Sequence, residues 1–157
     1  MSLLDEVLNN TPDPTIVPKG QYEMAITKAV FTASKGGQRE DGSEKPIRPM
    51  VVLYMKILGE PTAQMVSEYL WFPVEADAED VQLSQAQKIK GALKALGINP
   101  KVDGDVDISK FAPGMEPITF PKWQGKNGYA VLSVGVNPTD NSPVNQISTW
   151  IKPKEGI

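Results

Sequence analysis

Proline and glycine set the tightest limit on what this chain can become. Fourteen prolines and thirteen glycines are scattered without a period through 157 residues. They leave room for short segments joined by turns, and most of those segments alternate apolar and polar residues as half-buried strands do. The chain is therefore expected to be mainly β.

The first strand is expected to run from Gln21 to Thr27 and on past a bulge through Val30 and Phe31, with Tyr22, Met24 and Ile26 on one face. A polar loop over residues 35–48 follows. Met50 to Leu58 reads as a second strand, with Val51, Leu53, Met55 and Ile57 facing one way and Val52, Tyr54 and Lys56 the other. Met65 to Phe72 reads as a third, with Val66, Leu70 and Phe72 opposite Ser67, Tyr69 and Trp71. Ser84 followed by Gln87 forms a capping-box pattern and predicts a helix start there. Ala86, Ile89, Leu93 and Leu96 recur at helical spacing, and Gly97 supplies a stop that Ile98 can close. Beyond it, Ile118–Trp123, Tyr129–Val136 and Gln146–Ile151 read as strands, and Asn127-Gly128 signals a hairpin turn over Gln124–Gly128. At the other end, Ser2 can cap a short helix carrying Leu3, Leu4, Val7 and Leu8, and prolines 12, 14 and 18 keep the next stretch extended. Eight residues are marginal as an isolated helix, so this one needs cover from its own domain, a second copy or another protein.

Three strands, a helix and two or three more strands is the plan of a five-stranded OB-fold-like antiparallel barrel with one helix between strands three and four. Closure would hide the sheet edges. The expected division is a helix and extended arm over residues 1–15 and a single OB-like domain over 16–157. A small β-sandwich with a packing helix is the alternative.

Absent residues narrow the chemistry. The chain has no cysteine and no histidine, which excludes disulfides, zinc fingers, thiolate nucleophiles and imidazole bases. Asp103, Asp105 and Asp107 resemble the opening of a calcium loop, but its sixth and twelfth positions hold Ile108 and Gly114 instead of glycine and glutamate. Glu75, Asp77, Glu79 and Asp80 could feed a metal pair, but read better as an acidic lead-in to a helix N-terminus. Gly36-Gly37 lacks the rest of a phosphate loop. No enzyme activity, cofactor or metal is expected. The opening MSLLDEVLNN has neither the basic nor the apolar part of a secretory signal, and no run approaches the roughly 18–20 apolar residues of a membrane span. A soluble, cytoplasmic protein is expected.

The aromatic residues point further. Tyr54, Tyr69, Trp71 and Tyr129 fall on the faces of their strands opposite the apolar ones, and Trp123 opens a turn. Uncovered rings on a sheet offer bases a place to stack, at about 1–3 kcal/mol per base and with little regard for sequence. The net charge of −3 argues against a general polyanion footprint. The charge is uneven, however: without the seven acids of Glu75–Asp80 and Asp103–Asp107 it becomes +4. Lys35, Arg39, Lys45 and Arg48 lie in the first loop, diluted by Glu40, Asp41 and Glu44, while Lys122 and Lys126 lie in an acid-free stretch beside Trp123 and Tyr129. In an OB barrel those two loops would flank the binding face.

Several segments, in order, resemble a family of phage and prophage single-stranded-DNA-binding proteins encoded among replication and recombination genes. They are Val17–Glu23 opening the first strand, the Ser34–Gly37 loop, the helix end Ala92–Ile98, Gly128–Val131, Val144–Ile147 and Trp150-Ile151. The resemblance covers roughly residues 16–152. It implies an OB fold that coats single strands without sequence preference and protects them during replication, recombination or repair. Many such proteins end in an acidic tail that recruits partners. This chain ends Lys152-Pro153-Lys154-Glu155-Gly156-Ile157, which makes Leu3, Leu4, Val7 and Leu8 the alternative contact for self-association or a replication partner. The expected interface is Tyr54, Tyr69, Trp71 and Trp123 as stacking platforms with Phe31 and Tyr129, and Lys35, Arg39, Arg48, Lys56, Lys122 and Lys126 on phosphates. The rival readings are a protein-interaction or virion structural module, and a metal-dependent nuclease using Asp80 and Asp103.

Overall fold

The computed structural model describes residues 2–11 and 13–152. Pro12 of the extended arm and the end segment Pro153–Ile157 lie outside them. The first helix, α1 (Leu3–Asn10), begins where the sequence predicts: the Ser2 hydroxyl accepts the Asp5 N–H and donates to the Asp5 carboxylate. It is eight residues long, and no residue in it is buried.

Strand β1 (Gly20–Ala33) is long and bulged. Ile26 pairs with Met55 and Lys28 with Tyr54, so Thr27 is the extra residue. Its hydroxyl donates to the Tyr54 carbonyl at 2.9 Å, and the Thr27 carbonyl accepts from the Gln124 side-chain amide at 2.9 Å, so the bulge leaves neither Thr27 oxygen orphaned. The bulge also switches parity. Met24 and Ile26 point into the core before it, Ala29 and Phe31 after it. The loop after β1 folds back as a small ribbon, β2 (Gly37–Gln38) with β3 (Glu44–Lys45). Strands β4 (Pro49–Ile57) and β5 (Val66–Trp71) then follow the expected alternation. Val51, Leu53, Met55 and Ile57 enter the core, as do Val66 and Leu70.

Helix α2 (Glu79–Ala95) starts six residues before the predicted position. Residues 79–83 contain no glycine or proline, Glu79 and Asp80 suit the positive end of the helix, and Ser84 is left inside, its hydroxyl donating to the Val81 carbonyl. The buried stripe is shifted accordingly: Gln85 is buried while Ala86 is exposed, and Ala92 and Leu96 continue the inward face. The predicted stop holds. Gly97 adopts φ +67°, its N–H bonds Lys94 O, and Ile98 N–H bonds Leu93 O, the paired bonds of a Schellman end with Ile98 buried.

A four-residue helix, α3 (Pro100–Asp103), comes next, capped at Asn99. The Asn99 side chain accepts from Lys101 N–H while Asp103 accepts from Asn99 N–H, so the carboxylate that opens the calcium-like run serves a cap. Among the described residues no three acidic groups come together as a metal site.

The expected strand Ile118–Trp123 shrinks to β6 (Ile118–Thr119), and Pro121–Trp123 forms a 3-10 turn instead. Asn127 and Gly128 lie inside β7 (Asn127–Val136), which ends before β8 (Pro143–Trp150). Asn127-Gly128 makes no hairpin because β6 and β7 do not pair with each other. Both pair with β1, on either side of its bulge.

The result is a mixed α/β protein: a six-stranded antiparallel sheet in the order β5-β4-β1-β7-β8 with β6 on β1, one short N-terminal helix and one long helix. The outer strands β5 and β8 approach each other, but no ladder joins them among the described residues. The expected closed barrel is thus open along this seam. The arm before β1 reaches both of its sides. Thr15 bridges Ala63 just ahead of β5, and the Val17 N–H and C=O are both held by the Asn145 side chain on β8, each at 2.8 Å. Glu68 faces inward on β5 and is buried, with Lys88 of α2 at 3.2 Å. Glu68 Oε2 and Trp150 Nε1 make no well-aligned hydrogen bond, although the indole lies near enough to favour the carboxylate. Burial is the larger effect and pushes the Glu68 carboxyl up. No helix among the described residues is long and apolar enough to cross a membrane.

Candidate nucleic-acid interface

The outer face of β5 and β4 carries a row of large side chains. Register places Trp71 beside Met50, Tyr69 beside Val52, and Ser67 beside Tyr54. Tyr69 and Trp71 are two residues apart on one strand and so project from the same face about 6.7 Å apart. Tyr69 is 52% exposed and Trp71 half-buried. The long loop folds over the end of this row because Ser34 and Arg48 close its base with two bonds of 2.8 Å. A groove of about 840 Å³ results, lined by Lys35, Arg39, Lys45, Arg48, Tyr69 and Trp71 among others.

Arg48 organises the groove. Its guanidinium lies 4.4 Å from the centre of the Trp71 ring and grips both Asp77 carboxylate oxygens at 2.7 and 3.2 Å. Two-point contact with a carboxylate and stacking on an aromatic face suit the planar arginine fork. The Arg48 bonds hold the Asp77 carboxyl below the usual range, helped by the Val74 N–H. The acid of the pre-helix run is thereby a clamp on Arg48. Lys35, Arg39 and Lys45 are exposed, and the Arg39 guanidinium donates to the Ser43 hydroxyl at 3.4 Å.

Five of the twelve residues singled out from the sequence line this groove: Lys35, Arg39, Arg48, Tyr69 and Trp71. Tyr54 and Lys56 share the outer face of β4 but lie farther along it. The other five are elsewhere. Phe31 is 1% exposed, because the bulge turns it into the core. Trp123 is 2% exposed, stacked on Phe120 at 4.4 Å, with its indole N–H on Gly104 O. Both leave the list of stacking platforms. Lys122 is tied to the Val102 carbonyl, and Lys126 to Asp103 and the Gly97 carbonyl at the end of α2. These cations fasten a loop to a helix C-terminus, where positive charge is favoured. Tyr129 is exposed but lines a separate groove with Lys126 and the end of α2. The two basic loops therefore do not flank a common groove.

Two further cations bear on this face: Lys45, a first-loop cation outside the expected phosphate contacts, and Lys28, which the sequence pattern does not single out. Lys45 needed the loop's own folding to reach the groove. Lys28 follows the bulge and pairs with Tyr54, so it joins the outer face by the same parity switch that buries Phe31. The chain matches no protein-family model and no curated protein.

Proposed function

We propose that the protein binds single-stranded DNA without sequence preference, and that its sheet is an open variant of the OB barrel with β1, β4, β5, β7 and β8 as the five barrel strands. In this reading it coats and protects single strands in phage DNA replication, recombination or repair, as the family it resembles does, in the cytoplasm of the host and without enzymatic activity. One observation carries the reading: Tyr69 and Trp71 lie side by side in a groove whose rim bears Lys35, Arg39 and Lys45. Bases stack on the two rings or on the guanidinium that caps Trp71, and the rim cations take the phosphates. Tyr54 and Lys56 extend the track along β4.

Titration with oligo-dT tests this. Binding is expected to quench tryptophan emission, with log affinity falling against log salt at a slope of about −2 for three phosphate contacts to a single strand. Tyr69→Ala and Trp71→Ala are each expected to weaken binding about tenfold, as loss of one stacked base predicts. No binding at low salt, or unchanged affinity in both variants, rejects the reading. The exposed apolar face of α1 supports a second role in protein contact, which needs no nucleic acid.

A further inference from the structure

We propose that α1 docks in trans, into the apolar groove between α2 and the segment after α3 on a second copy of this chain. Leu4 and Leu8 lie one turn apart on α1, with Val7 beside them, and these residues are 74%, 78% and 50% exposed. Such a stripe on so short a helix gains little unless something covers it. The chain's own domain does not: none of the eight residues of α1 is buried.

Every copy also carries a receptor of matching character. Beneath α2 lies a cavity of about 320 Å³ walled by Phe72, Ile89, Leu93, Val106 and Ile108. A space of about 150 Å³ accepts a benzene-sized group, so two leucine side chains fit. The charges complement. Residues 2–18 hold Asp5, Glu6 and Asp13 and no basic residue. In the segments that wall the cavity, Lys90 and Lys94 follow Ile89 and Leu93 along α2, Lys101 follows Pro100, and Lys110 comes two residues after Ile108. All four are exposed and none forms an ion pair among the described residues. Asp105 in the wall and Asp107 beside it oppose them without cancelling them. An acidic amphipathic helix therefore meets an apolar slot whose walling stretch from Ile89 to Lys110 carries more lysines than acids. The contact joins unlike surfaces, so copies add head to tail or exchange helices in pairs.

The inference does not depend on DNA binding and is tested without DNA, so the two can fail separately. In sedimentation of the full chain over a concentration series, average mass is expected to rise at least to that of a dimer. Leu4→Asp/Leu8→Asp and Ile108→Asp alter exposed side chains and leave the domain folded, which circular dichroism checks. Each variant alone is expected to sediment as a monomer. An equimolar mixture is expected to recover association, because one variant keeps its groove and the other keeps its helix. Three results would overturn the proposal: a monomer at every concentration of the unaltered chain, association that survives either variant, or a mixture that stays monomeric.

Discussion

Glu68 sets a carboxylate among apolar neighbours, and its ionisation opposes folding. Burial raises its folded value above that of the unfolded chain, and Lys88 offsets only part of the effect. The stabilising contribution of the protonated acid is full below the unfolded value, about 4.3, and is lost as pH climbs through the raised folded one. Glu68→Gln is accordingly expected to change stability little near pH about 3.5 and to increase it near pH about 8, both above and below the unfolded value, measured by urea unfolding at each pH. A variant less stable than the parent at the higher pH would contradict this. Alternation placed position 68 inside, since Val66 and Leu70 flank it at spacing two. Residue type argued for the outside. Only the arrival of Lys88 from a distant helix reconciles the two, and no local pattern announces such a meeting. Trp123 failed the opposite way: a ring beside a glycine-containing turn looked exposed, but Phe120 and the Gly104 carbonyl claim it.

Among the elements, those ended by local chemistry were legible. Ser2 and Gly97 act through bonds to residues three or four positions away, and both stand where the sequence put them. Ser84 carried an equally good local pattern and lost, because the five residues before it extend the helix at little cost. The short β6 and the displaced hairpin have a long-range cause: β1 offers its edge to two different segments, and neither has to pair with the other. Close approach makes a further prediction here. A Cβ on Gly128 would collide with the backbone carbonyl of Ala95 at the end of α2, whereas one on Gly135 would meet only the movable end of Gln146. Gly128→Ala is expected to cost about 1–3 kcal/mol; Gly135→Ala is expected to cost much less. Chemical denaturation of the pair checks the contrast, and equal losses would refute it.

For the molecule as a whole, the strand order beyond the helix emerged only from pairings between distant segments, while the outer face of β5 was legible from alternation alone. That is why Tyr69 and Trp71 could be read in advance and the partnership of the basic loops could not. Two rims facing one groove is a tertiary statement, and the cations of residues 120–128 are spent elsewhere, Lys122 on the Val102 carbonyl of α3 and Lys126 on Asp103 and the Gly97 carbonyl at the end of α2. The arm and α1 separate cleanly in energetic terms. Val17 is buried and bonded to Asn145 across the seam, but α1 buries nothing. Deleting residues 2–10 is therefore expected to leave the melting temperature of the dilute protein unchanged, whereas Asn145→Ala, which orphans the Val17 backbone, is expected to cost about 1–3 kcal/mol. Calorimetry of both distinguishes ornament from strap, and a lower melting point for the deletion would show that α1 leans on its own domain.

The single unpaired threonine in the first strand has an evolutionary corollary. Length changes within a strand normally invert which side chains see water. Excising Thr27 alone would do the reverse: Met24, Ile26, Ala29 and Phe31 would then fall into one unbroken rhythm, and Lys28 would stay outside. Nothing hydrophobic would be stranded. The loss would be the bend that lets one ribbon shake hands with two neighbours in succession, so a shortened descendant could keep its interior and forfeit its curvature.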